Sequence, residues 1–320
     1  MSQTTTYQPV SVFAPISIGN VSIGFDILGL AVKPIDGQHL GDIVRIQSNQ
    51  VDQLVCTGLF VGSLPSKREE NIVWQCLLSF NQELLSLNIQ PQTVEITLEK
   101  NIPVCSGLGS SACSVVAALA ALNEFYNKPI NDKQLLKMMG VQEAKISGSL
   151  HYDNVAPCFL GGLQLMLEDS EQISQSIPTF EDCYWVIAYP EIEVSTRLAR
   201  EILPESYDRT TLVKFGQRLA SFIDASHRKD KTRAFAHFDD VVAEPYRTTL
   251  LKNYPQTKRA LLDLGALAIG ISGSGPTAFA VCDDLAIANK AKAIFEQEYI
   301  DSEVGFSIIC KADFDGTRKI

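Results

Sequence analysis

The stretch Pro103-Val-Cys-Ser-Gly-Leu-Gly-Ser-Ser-Ala112 joins two segments with different hydrophobic patterns. Upstream of it, Val94 to Leu98 alternates apolar and polar residues, which predicts a β-strand. Downstream, Cys113 to Tyr126 is rich in Ala, Val and Leu, which predicts a buried helix. The stretch is therefore predicted to be a Gly/Ser-rich loop that runs from a strand into the N-terminus of a helix.

A loop of this kind is suited to hold a phosphate group. Gly107 and Gly109 let the backbone approach an anion closely, and the first N–H groups of the helix point at it with the positive end of the helix dipole behind them. Ser110 and Ser111 add hydroxyls that can bond phosphate oxygens or a Mg²⁺ ion. The loop predicts binding of a nucleotide or another phosphate compound. A Gly/Ser-rich turn that only caps the helix is the structural alternative.

Two familiar nucleotide motifs fit this loop poorly. It is not a Walker loop, because no Gly-Lys-Ser/Thr follows. The dinucleotide fingerprint is met only as Gly107-x-Gly109-x-x-Ala112, and it also needs a carboxylate after a second strand roughly 20 residues further on. The nearest carboxylates, Glu124 and Asp132, lie in or just after a predicted helix. This disfavours a dehydrogenase.

The composition excludes several classes of protein. A net charge of −10 without any basic block argues against a nucleic-acid partner. No apolar run reaches about 18 residues, so no membrane span is expected, and residues 1–6 lack the basic and apolar regions of a signal peptide. The eight cysteines are scattered singly, which indicates reduced thiols and a cytoplasmic protein. Four histidines without zinc spacing make a zinc site improbable.

The order of predicted elements indicates two α+β domains. At 320 residues the chain is long enough for both, and strands alternate with helices in each half. The polar segment 168–182 is the best candidate boundary, so the domains are predicted as residues 1–168 and 169–320. In the second half, residues 231–242 are predicted to form a helix.

A short loop near the N-terminus combines an amide and a carboxylate. Asn20 and Asp26 flank a glycine-containing segment directly after the first predicted strand. Together they suit the amine and hydroxyl of a small substrate. The alternative is that both side chains only make turn hydrogen bonds to the backbone.

A second group of polar residues follows the helix predicted from Asn131 to about Ser147. Glu143 lies near the end of this helix, and His151 and Asn154 lie in the loop beyond it. Because Mg²⁺ prefers one or two carboxylates together with phosphate and water, Glu143 and a serine hydroxyl of the 103–112 loop could hold one. A solvated helix face for Glu143 and an ordinary hydrogen-bonding role for His151 are the alternatives.

A second Gly/Ser-rich turn, Gly270-Ile-Ser-Gly-Ser-Gly-Pro-Thr277, lies between two apolar strands in the other half of the chain. Two such turns, one in each half, suggest that both halves face one anionic ligand. A tight hairpin, which would need glycine anyway, is the alternative.

These motifs occur in the order found in one family, and the chain resembles the GHMP small-molecule kinases, most closely their bacterial homoserine kinase branch. Pro103 to Ala112 is similar to the ATP motif of the family, and Gly270 to Thr277 is similar to its third motif. In the opening loop, Val21-Ser22-Ile23 replaces the Leu-Gly-Pro usual in this branch. The remaining matches are Glu70-Asn71-Ile72-Val73, Ser147-Gly148-x-x-His151-x-Asp153-Asn154-Val155-Ala156-Pro157, Val194-Ser195-Thr196 with Ala199-Arg200, and Glu244-Pro245-Tyr246-Arg247.

The resemblance implies an α+β, two-domain GHMP kinase fold. Its N-terminal domain is ribosomal-protein-like with a left-handed βαβ unit, and its C-terminal domain is ferredoxin-like. It also implies that ATP lies in the cleft, and that Ser111 and Glu143 hold Mg²⁺. The residues it assigns to ATP are Asn71, Pro103, Val104, Cys105, Ser106, Gly107, Leu108, Gly109, Ser110, Ser111, Ala112, Gly273, Ser274 and Gly275.

The same resemblance implies the acceptor, L-homoserine, in threonine biosynthesis. The pocket it assigns consists of Asn20, Asp26, Asn154, Arg200 and Arg247, and the residues it assigns to catalysis are Asn154, Glu143 and Arg200. Guanidinium groups suit the substrate carboxylate and Asp26 suits its ammonium. A surface salt bridge is the alternative role for each arginine.

The chemistry implied is phosphoryl transfer led by positioning and charge neutralisation rather than by a strong general base. A homodimer with no nucleic-acid or membrane partner is implied as well. The rivals are a mevalonate-type kinase and a catalytically silent ligand sensor on the same fold.

Overall fold

The computed structural model describes residues 7–169 and 171–320, so the prediction about residues 1–6 lies outside the described residues. The strands within this part are β1 (Val10–Pro15), β2 (Ser17–Gly19), β3 (Leu28–Pro34), β4 (Gly41–Ser48), β5 (Gln53–Thr57), β6 (Val94–Glu99), β7 (Leu163–Met166), β8 (Ser174–Ile177), β9 (Tyr184–Tyr189), β10 (Ala268–Ile271), β11 (Ala278–Cys282), β12 (Phe306–Ala312) and β13 (Arg318–Lys319). The helices are α1 (Ile72–Ser86), α2 (Ser110–Phe125), α3 (Asp132–Ser147), α4 (Val155–Leu160), α5 (Thr196–Glu201), α6 (Arg209–Arg228), α7 (Lys231–Phe235), α8 (Glu244–Arg247), α9 (Tyr254–Leu264) and α10 (Leu285–Ile294).

A five-stranded sheet, in the order β13-β1-β4-β6-β5, forms one side of the N-terminal half. Its pairs are antiparallel except β5 with β6, which run parallel and are connected through α1. Parallel neighbours need a crossover connection, and here α1 supplies it. This is the βαβ unit of the expected fold.

A larger sheet contains strands from both halves of the chain. Its order is β10-β11-β9-β12-β3-β7-β8, and β2 pairs with β3 alongside this path. The junction between the halves is the antiparallel pair β12–β3, in which Ala312 lies opposite Val32. The α+β class and the two-part architecture are confirmed, and the larger sheet connects the two parts.

Helix α2 lies at the centre of the N-terminal core. It contacts β1 and β4 on one side and α1, α3 and α4 around it, and only two of its 16 residues, Ser111 and Glu124, are not buried. Its five alanines and three serines give the helix a small diameter, so that its neighbours approach closely. Contacts with these elements therefore hold α2 in the core.

Most predicted elements are present, and the helix predicted at 231–242 is too long. It ends at Phe235. Asp240 then accepts hydrogen bonds from the backbone N–H groups of Val242, Ala243 and Glu244, and such local side-chain bonds compete with a continuous helix. The polar segment 168–182 also contains strand β8, which extends the large sheet beside β7. Its sequence, Ser-Gln-Ser-Ile, has little apolar alternation.

Within the described residues, none of the helices combines the length and the apolar composition needed to cross a membrane. All eight cysteines lie in this part of the chain and all are free, as expected for reduced thiols.

Candidate active site

A cavity of about 490 Å³ lies where the two Gly/Ser-rich loops meet. This volume is in the range typical of small-molecule and cofactor sites. Its walls come from the 103–112 loop, the N-terminus of α2, the end of α3, the loop before α4, helix α5 and the 270–277 loop. Residues of both halves of the chain therefore face one space.

The 103–112 loop has the geometry predicted for a phosphate site. β6 ends at Glu99 and α2 begins at Ser110, so the loop leads directly into a helix N-terminus. Gly107 and Gly109 have φ angles of +80° and +65°, which L side chains rarely adopt. Gly109 is the N-cap of α2 and no side chain caps the helix. The first backbone N–H groups of α2 can thus bind an external anion.

The 270–277 loop supports the first loop from behind. Ser272 Oγ donates to the carbonyl of Gly107 at 2.7 Å, and the N–H of Thr277 donates to the carbonyl of Ser106 at 3.1 Å. A Cβ on Gly107 would lie 2.5 Å from the carbonyl oxygen of Ser272. The second loop is therefore part of the same site, and its residues Gly273 and Ser274 line the cavity.

Ser111 and Glu143 form the predicted metal pair. Ser111 Oγ donates to Glu143 Oε1 at 2.5 Å, although 32 residues separate them. The second carboxylate oxygen, Oε2, is buried, and it has no hydrogen-bond partner in the described part of the chain. Burial raises the pKa of Glu143, and the Ser111 hydroxyl opposes this shift. A buried oxygen without a partner, close to a phosphate loop, fits a cation that would bind it.

The same residues fit Mg²⁺ better than a metal held by protein alone. No group of three His, Cys, Asp or Glu side chains suitable for a metal ion occurs in residues 7–169 and 171–320. Mg²⁺ is usually bound by one or two carboxylates plus substrate phosphates and water. Glu143, with the Ser111 hydroxyl beside it, would provide the protein share of such a site.

Asp26 and Arg200 lie together at one end of the cavity and bind each other. Arg200 Nη1 and Nη2 donate to the two oxygens of Asp26, both at 3.0 Å. Asp26 has a φ of +58°, and its carboxylate is also 3.6 Å from His151 Nδ1. About a quarter of the Asp26 side chain and a third of Arg200 are exposed, so both are accessible from the cavity. The two charges expected to bind a substrate separately are thus paired.

Asn20 and Arg247 share one backbone acceptor. Asn20 Nδ2 and Arg247 Nη1 both donate to the carbonyl of Gly273, at 3.2 and 2.7 Å, and Asn20 Oδ1 accepts from the N–H of Asp26. Arg247 is 4 % exposed and also donates from Nε to the carbonyl of Ala199. Both side chains line the cavity, and both hold its walls together.

Asn154 is oriented by Ser17, which the sequence analysis did not select. Ser17 Oγ donates to Asn154 Oδ1 at 2.9 Å, and Asn154 Nδ2 donates to Asp153 Oδ2 at 3.3 Å. Asp153 also lines the cavity and is 6 % exposed. Burial, with Asp26 adding a like charge, raises the pKa of Asp153 to about 7. In the sequence, the position of Asp153 between His151 and Asn154 in a polar segment was the signal that could have indicated a site residue.

Some of the other predicted residues line the cavity and some do not. Asn71 lines the cavity, but its side chain caps α1 by accepting from the N–H of Val73 at 2.9 Å. The predicted ATP residues that do not line the cavity are Pro103, Leu108, Ala112 and Gly275, all buried. The predicted residues that do line it, besides those described above, are Val104, Cys105, Ser106 and Ser110.

Comparisons with known proteins show the family to which the chain is similar. The model of the GHMP kinases N terminal domain matches residues 71–162, and that of the GHMP kinases C terminal domain matches residues 223–301. The crystal structure of homoserine kinase from Cytophaga hutchinsonii is 31 % identical, with full coverage of both chains and a TM-score of 0.87. The phosphomevalonate kinase of Streptococcus pneumoniae is 14 % identical, covers 95 % of this chain and 100 % of its own, and has a TM-score of 0.70. The mevalonate diphosphate decarboxylase of Staphylococcus aureus is 12 % identical, covers 98 % of each chain, and has a TM-score of 0.68.

The chain belongs to the GHMP kinase family. This family consists of small-molecule kinases that use ATP. The two more distant structures share the fold, and they act on different substrates. Because one fold carries several activities, the acceptor must be inferred from the side chains of the cavity.

Proposed function

We propose that the protein is a homoserine kinase, which transfers the γ-phosphoryl group of ATP to the side-chain hydroxyl of L-homoserine and forms O-phospho-L-homoserine and ADP. The observation that carries the proposal is the Asp26–Arg200 pair in the cavity that contains the phosphate loop. An α-amino acid offers a carboxylate to Arg200 and an ammonium to Asp26, so one zwitterion replaces both partners. Similarity to the homoserine kinase of C. hutchinsonii supports the same substrate.

In the proposed reaction the chain acts by holding the reactants in line. The loop glycines and the α2 N-terminus bind the phosphates, and the pocket residues fix the amino-acid end, so that the hydroxyl lies near the γ-phosphorus. Asn154, whose amide Ser17 orients, would hold the reacting hydroxyl. Ser111 and Glu143 would hold Mg²⁺, which neutralises phosphate charge when it is bound. Arg200 adds positive charge to an otherwise acidic protein.

The proposed reaction does not require a strong general base for the hydroxyl proton. Asp26 is paired with Arg200, and Asp153, whose pKa of about 7 would suit a base, is buried beside Asn154 and accepts a hydrogen bond from its amide. A loose transition state places little demand on such a base, so positioning can supply most of the rate. A place in threonine biosynthesis and a homodimer follow from the resemblance, a cytoplasmic location follows from the scattered cysteines, and all three belong to the same proposal.

The test is ADP release with MgATP and a panel of alcohols: L-homoserine, L-serine, L-threonine, mevalonate and galactose. Selective turnover of L-homoserine is expected. Turnover of mevalonate instead would keep the ATP site and discard the roles of Asp26, Arg200 and Arg247. Binding of ATP without turnover of any alcohol would favour a ligand sensor.

A further inference from the structure

A buried ion pair lies beneath the start of α2. Lys100, the residue that follows β6, is 2.6 Å from Asp42 of β4 through Nζ and Oδ2, and their side chains are 2 % and 0 % exposed. Removing two charges from water is costly, and apolar residues of similar volume are often at least as stable. Stability alone therefore does not explain why the chain contains this pair.

All three N–H donors of the Lys100 ammonium group are used within the protein. They reach Asp42 Oδ2, the carbonyl of Ser110 at 2.8 Å and Ser114 Oγ at 3.0 Å. Ser114 Oγ in turn donates to Asp42 Oδ2 at 2.6 Å, and the N–H of Asn101 donates to Asp42 Oδ1 at 3.0 Å. The lysine thus has no donor left for a phosphate, and its tip is fixed to the first turn of α2.

That first turn carries the groups expected to bind MgATP. Ser110 and Ser111 begin α2, and Ser111 contacts Glu143. The turn is preceded by two glycines with positive φ, whose backbone would otherwise have wide conformational freedom. Lys100 connects this turn to β4, a central strand of the five-stranded sheet. Lys100 therefore contacts the helix turn that is expected to bind the phosphates.

The pair is also polarised towards the cavity. Lys100 lines the cavity, whereas Asp42 lies behind it and is not among the lining residues. The positive end of the pair thus faces the space where phosphates would lie. This orientation favours an anion there even though the pair is neutral as a whole.

We propose that Asp42 and Lys100 are positioning residues that hold the first turn of α2 in the geometry that binds MgATP. The inference rests on the proposed function only for its ligand, MgATP, and does not depend on which alcohol is phosphorylated. A buried ion pair can stabilise the fold or position a functional group. If the pair positions the turn, its removal should weaken MgATP binding even in a variant that keeps the fold.

The test measures the Kd of MgATP by calorimetry, without any alcohol, together with Tm. The variants are Lys100→Met, Asp42→Asn and the double variant. Each single variant leaves one buried group without its partner and should lower Tm. The double variant removes both charges with little change in volume and should recover much of the lost Tm. Its MgATP binding should stay about 10- to 100-fold weaker than that of the wild type, which is the usual cost of losing a residue that orients the groups in direct contact with a ligand.

Arg318→Met provides a matched control, since Arg318 Nη1 is 3.1 Å from the fully buried Asp313 and neither residue lines the cavity. It should lower Tm and leave the Kd of MgATP unchanged. Wild-type affinity in the double variant, or equal weakening by Arg318→Met, would overturn the proposal. Tighter binding by Asp42→Asn would replace it with a direct contact between Lys100 and phosphate. Failure of the wild-type protein to bind MgATP would instead remove the proposed function and this inference together.

Discussion

Asp26 and Arg200 form a pair that the proposed substrate would have to open. Both oxygens and two guanidinium nitrogens are engaged at 3.0 Å, and the pair is partly exposed. A ligand with only a carboxylate would leave Asp26 without a cationic partner, whereas a zwitterion replaces both bonds. Under the proposed function, this pair would therefore favour α-amino acids over mevalonate-like acids.

Replacement of Arg200 should affect substrate binding more than turnover. We expect Arg200→Leu to raise the KM for L-homoserine by about 10- to 100-fold, the worth of a charge-assisted hydrogen bond, and to change the KM for ATP much less. Arg197→Leu on the same helix is the matched control, since its side chain is 86 % exposed. Steady-state kinetics with each substrate varied would show this. An unchanged KM with a lower Tm would indicate a purely structural salt bridge.

Glu143 should act on turnover rather than on folding. Glutamine retains an acceptor for the Ser111 hydroxyl, so we expect Glu143→Gln to fold with a Tm close to that of the wild type. Because the carboxylate charge is lost, kcat should fall by at least about a hundredfold, as when one electrostatic contact to a reacting group is removed. Measured kcat at saturating MgATP would decide the matter. A near-normal kcat would exclude the role as metal ligand.

Asp153 should make stability depend on pH. Its folded-state pKa of about 7 lies above the value of 3.8 for an exposed aspartate, so the folded protein binds the proton more tightly. The neutral form is tolerated at low pH, and stability should decrease as pH rises from about 4 through 7.

We expect Asp153→Asn to remove this trend. Between pH 5 and pH 8, the free energy of unfolding of the wild type should fall relative to that of the variant by up to a few kcal/mol. Denaturant titrations at several pH values would show it. Parallel profiles for the two proteins would mean that Asp153 is already ionised in the folded state.

At the scale of elements, the phosphate loop is held by contact with the second loop. A Cβ on Gly107 would meet three backbone atoms of residues 272 and 275 within 2.8 Å, and backbone cannot move away cheaply. Gly148, at the end of α3, has nearly the same φ of +82° and has no atom within 4 Å of an added Cβ. A comparison of the two glycines thus distinguishes the cost of a left-handed backbone from the cost of crowding around an added methyl group.

Substitution of these glycines should have different costs. Gly148→Ala should destabilise the protein by about 1–2 kcal/mol through its left-handed backbone alone. Gly107→Ala should cost about 1–3 kcal/mol more from overpacking and should also weaken MgATP binding. Chemical denaturation and calorimetry would compare the two. Equal stabilities and equal MgATP affinities would show that the second loop yields to the added methyl group.

The elements themselves were predictable where local pattern and local chemistry agree. The alternation in β6 and the Asn131 cap of α3, which accepts from the N–H of Gln134, are both local signals. Helix α9, which the sequence analysis did not assign, has a proline in its first turn, where proline is tolerated. Strand β8 is polar and is defined by its pairing with β7, so no local pattern indicates it.

At the scale of the whole molecule, the two predicted domains share a sheet. β3 of the N-terminal half pairs with β12 of the C-terminal half, and β13 at the C-terminus pairs with β1. Separation of the halves would break these ladders and expose strand edges. The division at 168/169 stays a prediction, and strand hydrogen bonds connect its two sides.

We therefore expect the protein to unfold in one cooperative transition that MgATP shifts as a whole. Since ligand bound to the folded state alone adds stability by mass action, Tm should rise with MgATP concentration without splitting. Differential scanning calorimetry, with the calorimetric enthalpy compared with the van't Hoff enthalpy, would test this. Two transitions, of which MgATP shifts only one, would contradict it.

The sequence by itself determined the family, the Gly/Ser-rich loop before α2 and the residue types of the candidate site. These follow from short-range signals, because the glycines, the serines and the apolar run of α2 are consecutive in the chain. The α+β class likewise followed from local alternation and helical periodicity.

Only the tertiary structure decided which side chains are partners. The pairing of Asp26 with Arg200, the shared acceptor of Asn20 and Arg247, and the burial of Lys100 against Asp42 connect residues 26 to 253 positions apart. No local pattern encodes such contacts, since they arise when the two sheets and α2 pack together. The burial that raises the pKa of Asp153 has the same origin.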